Sequence, residues 1–98
     1  MDLRNITGFD WDAGNARKNE KHGVSPVEIE RVFVNRPLLI ASDPLHSQTE
    51  ERFAALGITD EGRRLTVVFT LREEKSRIRP ISARPMNRRE RTTYEKAT

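Results

Sequence analysis

The sequence predicts an α+β domain: two N-terminal helices packed on a small, mostly antiparallel β-sheet, with a helix at the C-terminus. Three observations predict it. Ser25-Pro26-Val27-Glu28 joins a capping serine to a first-turn proline and a glutamate three residues on, opening a helical apolar face at Ile29, Val32 and Phe33. Leu65, Val67, Phe69 and Leu71 alternate with Thr66, Val68 and Thr70, the period of a strand. Asn87-Arg-Arg-Glu90 repeats the cap-x-x-Glu pattern after Pro85 and starts another helix. Helices laid on one face of an antiparallel sheet form the layer architecture that buries both apolar surfaces.

Taken in order, Thr7–Asp10 reads as a short opening strand. Asp10 or Asp12 caps a helix through Asn15, Lys18 and Glu20, which ends at His22-Gly23, where glycine supplies a left-handed terminal residue. The second helix reaches about Asn35. Pro37–Ser42 is a strand, Asp43–Thr49 a polar loop, and Arg52–Thr59 the next strand. Asp60-Glu61-Gly62 turns the chain into the alternating strand, Glu73-Glu74-Lys75 turns it again, and Ser76–Arg84 forms the last strand. Three or four mostly antiparallel strands are expected. Pro80 lacks a ladder donor and must sit at an edge or a bulge. Strict alternation puts Arg79 on one face with Ile81 and Ala83. The first and last helices carry few apolar residues and are expected to dock weakly, with Trp11 and Tyr94 as their anchors.

At 98 residues the chain is one domain with one modest core. It has no cysteine, no leader pattern and no apolar run long enough to span a membrane, so a soluble cytoplasmic protein is expected. Net charge is only +3, yet residues after Arg77 are strongly basic up to Glu95. That asymmetry points to an acidic partner, and arginine offers a planar fork of donors matched to phosphate oxygens.

Six short pieces occur in series: Phe9-Asp-Trp-Asp12, Asn19-Glu-Lys-His-Gly-Val24, Asp43-Pro-Leu-His46, Glu50-Glu-Arg-Phe53, Ile81-Ser-Ala-Arg84 and Arg88-Arg-Glu-Arg91. Together they resemble the BrnT toxin family of bacterial type II toxin–antitoxin systems, over roughly Gly8 to Glu95. The resemblance implies a RelE-like ribonuclease fold and RNA cleavage that halts translation. It also implies a cognate BrnA-like antitoxin with a ribbon-helix-helix domain. The complex of the two would repress its own operon, so operator DNA is met only through that complex. The sequence departs from the family pattern at Pro80 and Pro85.

RNA can be cut without metal when its own 2′-hydroxyl attacks the adjacent phosphorus. Such a site needs a proton acceptor, cations for the crowded phosphorane, and a donor for the departing 5′-oxygen. On this chemistry the candidates are Arg84, Arg52 and Arg79 for the phosphate, Glu51 and His46 for proton transfer, and Tyr94 for base stacking or the leaving oxygen. Each has a structural alternative: salt bridges for the arginines, a solvated charge for Glu51, a turn contact for His46, and a pin between helix and sheet for Tyr94. Lys18, Lys21, Arg88, Arg89 and Arg91 are candidate RNA contacts, the last three encircling their helix. The antitoxin is expected to cover part of that helix and the sheet edge. Two distant histidines give no metal-ligand spacing, and no cofactor is expected. An antitoxin-binding co-repressor without catalysis is the alternative, and a DNA-binding domain in its own right ranks below both.

Overall fold

The computed structural model describes residues 3–18, 22–44 and 49–98. Its elements are β1 (Gly8–Phe9), α1 (Ala13–Arg17), α2 (Pro26–Val34), β2 (Leu39–Ser42), β3 (Phe53–Ile58), β4 (Arg64–Arg72), β5 (Arg77–Pro85) and α3 (Arg88–Ala97). All three helices begin with reciprocal capping boxes, at Asp12/Asn15, Ser25/Glu28 and Asn87/Glu90. In the second, the Glu28 amide donates to Ser25 Oγ at 3.2 Å while the Ser25 amide donates to Glu28 Oε1 at 3.0 Å. The long first helix is corrected: α1 spans five residues to Arg17, and positions 19–21 lie outside the described residues.

The strands form one sheet in the order β1-β5-β4-β3-β2, antiparallel throughout except for the parallel β1–β5 pair. The sheet is therefore five-stranded and mixed, because the short opening segment joins β5 through Gly8↔Arg77 and Phe9↔Ile78. Alternation on β4 divides the sheet cleanly. Leu65, Val67, Phe69 and Leu71 face α2 and pack with Ile29, Val32 and Phe33. Phe33 meets Phe69 edge-on at 5.0 Å between ring centroids, and Phe53 stacks on Phe69 at 5.5 Å. Helix α2 comes very close at Gly57, where an added Cβ would lie 2.7 Å from Val32 Cγ1.

The opposite face of β4 carries Thr66, Val68, Thr70 and Arg72. In β5 a bulge interrupts the ladder: Val68 pairs with Ser82 and Phe69 with Pro80, leaving Ile81 unopposed. The proline thus sits beside a bulge, just past the point where β1 stops pairing with β5. The extra residue also inverts the alternation beyond it. Ile78, Pro80 and Ala83 all join the α2 side and are buried, whereas Arg79, Ser82 and Arg84 take the other side. The expected grouping of Arg79 with Ala83 is corrected for that reason.

Helices α1 and α3 are held mainly by polar contacts. Trp11 packs against the core and donates from Nε1 to Glu30 Oε2 at 2.8 Å. Helix α3 buries Tyr94, whose hydroxyl donates to the Pro37 carbonyl at 2.6 Å. Arg84 and Glu90 join β5 to the first turn of α3, and Arg64 and Glu95 join β4 to its last. No helix among the described residues is long and apolar enough to cross a membrane.

Candidate functional site

Where β1 ends, β5 loses its outer partner and α1 takes its place along the strand. On the face away from α2 this leaves a groove of about 440 Å³. Asp12, Gly14, Asn15 and Lys18 form one wall, Glu50 and Arg52 enter from the segment before β3, and Arg72, Arg79, Pro80 and Ile81 form the floor. Four cations and two carboxylates from distant parts of the chain therefore converge. A larger cavity of about 520 Å³ opens on the α2 side among Ile40, Phe53 and Leu71, but it lacks a comparable cluster of cations.

Both floor arginines already have carboxylate partners. Arg79 places Nη2 2.8 Å from Asp12 Oδ2 and Nη1 3.5 Å from Asp10 Oδ2. Arg72 forms a forked pair with Glu50. The hydrogen bond from Arg72 holds Glu50 below the ordinary carboxylate range against the opposing effect of burial, and the charges of Arg72, Arg52 and Arg79 act in the same direction. Asp12 is also lowered, first by the Asn15 amide and then by the Arg79 hydrogen bond. Reciprocally, the hydrogen bond to Asp12 raises Arg79. Glu50 is thus an anion at neutral pH, set among guanidiniums.

The structure brings together Arg52, Arg79 and Lys18 from the sequence candidates. Glu51 does not join them. It lies in the segment before β3 and lines the other cavity with Phe53, whereas Glu50 lines the groove with Arg52. Arg84 lies on the groove side of the sheet but near its opposite end, paired across to Thr66 rather than Thr70. It is engaged by Glu90, with Nη1 to Oε1 at 2.6 Å and Nη2 to Oε2 at 3.0 Å. Burial opposes ionisation of Glu90, but Arg84 and the Asn87 amide outweigh it and lower its pKa. Tyr94 is 3% exposed with its hydroxyl committed to Pro37, the geometry of a pin. Arg88 and Arg89 are exposed on the first turn of α3, and Arg91 donates to the Met86 carbonyl at 3.3 Å. His46 and Lys21 lie outside the described residues.

Asp12, Asn15, Glu50 and Arg72 line the groove but were not among the sequence candidates for the site. Alternation counted back from Phe53 would have preferred Glu50 to Glu51 as the companion of Arg52. Among the described residues no three histidine, aspartate or glutamate side chains converge as a metal-binding group.

Residues 11–90 match a family model described as the ribonuclease toxin BrnT of type II toxin–antitoxin systems. A search of curated proteins found no match.

Proposed function

The chain belongs to the BrnT family of ribonuclease toxins of type II toxin–antitoxin systems, and on that premise we propose that it cleaves RNA in the groove between α1 and the end of the sheet, without metal. The observation that carries this reading is the convergence of Lys18, Arg52, Arg72 and Arg79 in one groove with the ionised carboxylates of Asp12 and Glu50. A phosphodiester seated there meets cations from three directions. Glu50 takes the proton of the attacking 2′-hydroxyl, while Arg52 and Arg79 neutralise the phosphorane. His46, in the sequence between β2 and β3, remains the candidate donor to the departing 5′-oxygen. The exposed Arg88 and Arg89 extend RNA contact beyond the groove.

A BrnA-like antitoxin with a ribbon-helix-helix domain neutralises the toxin, and the pair represses its operon. A second reading has one specific support: Arg72 and Arg79 are already neutralised by Glu50, Asp10 and Asp12. On that reading the groove is an inactive surface, and the protein serves only as antitoxin partner and co-repressor.

Induced expression without antitoxin should arrest growth, and purified protein should cut RNA equally well with and without EDTA. Arg52→Ala and Arg79→Ala should each relieve arrest, whereas Arg84→Ala should act mainly by loosening α3. Loss of cleavage in EDTA would reject the metal-free mechanism. Toxicity undiminished in an Arg52→Ala/Arg79→Ala double variant would reject the groove. Intact RNA together with tightened binding of antitoxin to operator DNA would establish the co-repressor reading instead.

A further inference from the structure

Asn15 is the most deeply buried polar side chain lining the groove, at 7% exposed. Its Nδ2 donates to two carbonyls, Asp10 O and Pro80 O, each at 3.0 Å. Its Oδ1 accepts the Asp12 backbone amide at 2.7 Å, and the Asn15 backbone amide donates to Asp12 Oδ1 at 3.0 Å. One side chain therefore joins the end of β1, the start of α1 and the bulged part of β5. Each contact has a reason in the fold. Pro80 cannot donate, the bulge interrupts the ladder beside it, and β1 has ended at Phe9, so the Pro80 carbonyl looks out from an uncovered strand. An amide with two hydrogens can satisfy two carbonyls at once, which serine, aspartate or alanine cannot.

The consequence reaches the groove through Asp12. The Asn15 side chain fixes the Asp12 backbone by accepting its amide, and with Asp12 Oδ1 held by the Asn15 backbone N–H, Oδ2 is directed to Arg79 Nη2 at 2.8 Å. Arg79 stands next to Pro80 on β5, so the same clamp fixes the backbone under the guanidinium and the carboxylate that orients it. We infer that Asn15 is a positioning residue for RNA cleavage: it locks α1 onto the β5 bulge and so sets where Arg79 presents its charge. Asn15 need not touch the RNA. The inference rests on the groove reading, and specifically on Arg79 facing the scissile phosphate.

A double-mutant cycle separates the two ideas. Cleavage of a short labelled RNA is measured for wild type, Arg79→Ala, Asn15→Ala and the double variant, below the melting temperature of each. Displacing a phosphate-binding group by an ångström or so costs about 10- to 100-fold. Asn15→Ala should therefore slow cleavage by about that factor, mainly in kcat. In the Arg79→Ala background the same change should add little, because the group it positions is gone. Asn15→Asp has the same size and can still accept the Asp12 amide, yet it loses both Nδ2 donors. It should lose activity as the alanine variant does, and it supplies the comparison if alanine fails to fold. Equal losses from Asn15→Ala in both backgrounds would indicate general destabilisation and overturn the positioning role. Wild-type cleavage by the Asn15 variants would also overturn it. Wild-type cleavage by Arg79→Ala alone would remove the groove reading, and the role of Asn15 with it.

Discussion

Replacing Tyr94 with phenylalanine separates the two roles that a tyrosine on α3 can hold. The ring is 3% exposed, so the substitution leaves packing intact and removes one hydroxyl. That hydroxyl donates to the Pro37 carbonyl at 2.6 Å and links α3 to the approach of β2. Without it the partly buried bond to the Pro37 carbonyl is lost, a cost of about 0.5–1.5 kcal/mol. In a domain of this size the melting temperature should fall by roughly 2–12 °C. Helix α3 has little else apolar to bury, so hydrogen exchange should accelerate along it more than in β4 or β5. RNA cleavage, assayed well below the transition, should stay within about twofold of wild type, a difference of only about 0.4 kcal/mol. Unchanged melting combined with a loss of cleavage of about 100-fold or more would refute the pin and restore Tyr94 as a catalytic group.

Gly57→Ala should destabilise the fold by about 1–3 kcal/mol through overpacking, because the new methyl would sit 2.7 Å from Val32 Cγ1 and 3.2 Å from the Val32 carbonyl; a melting temperature equal to or above wild type would show that α2 can retreat from β3 freely. Stability should be nearly flat through neutral pH and fall at both extremes in a thermal melting series. Glu28, Glu50 and Glu90 lie below their ordinary 4.5 when folded, so they bind protons more tightly unfolded; their contribution is full above about pH 5 and is lost as pH drops through 4.5 and below. Burial raises Tyr94 above its ordinary 10.0, so its contribution is full below that pH and is lost as pH climbs beyond it. A melting temperature still rising as pH falls from 5 to 3 would contradict the assigned carboxylate pairs.

Local chemistry made much of the fold legible. The capping signatures at Ser25 and Asn87 mark the starts of α2 and α3, and the apolar alternation of β4 identifies the core face of the sheet. These features depend on neighbours within a few residues. The parallel β1–β5 pair does not, since it joins positions almost 70 residues apart and only two residues of β1 take part. Face assignment in β5 failed for a related reason. Pro80 signals that a ladder bond is missing, but whether the chain meets this with an edge or an extra residue depends on its neighbours. The answer decides the side of every residue beyond it. Because Ile81 is extra, Ala83 turns into the core and Arg84 away from it.

The same distinction explains why a dense run of arginines contributes little to the groove. Between Arg77 and Glu95 only Arg79 and its neighbours Pro80 and Ile81 line the groove. Arg84 and Arg91 spend their donors on the ends of β5 and α3, and Arg77 bonds the Phe9 carbonyl, so these three hold secondary structure together. The groove acquires the rest of its charge from Lys18, Arg52 and Arg72, which lie far apart in sequence and are brought in by different segments. A phosphate site needs cations arranged around a point, whereas consecutive residues on a strand or helix diverge onto different faces. Convergence therefore requires separate segments, which makes the carboxylates consequential as well. Glu50 and Asp12 hold Arg72 and Arg79 in place, so on the proposed reading an RNA phosphate would exchange with these carboxylates or add to them. Direct exchange predicts that neutralising Asp12 strengthens RNA binding, whereas positioning by Asn15 and Asp12 predicts that it weakens cleavage. Both can hold together, because an arginine freed of its partner binds anions more readily while losing the fixed direction that stabilises a transition state.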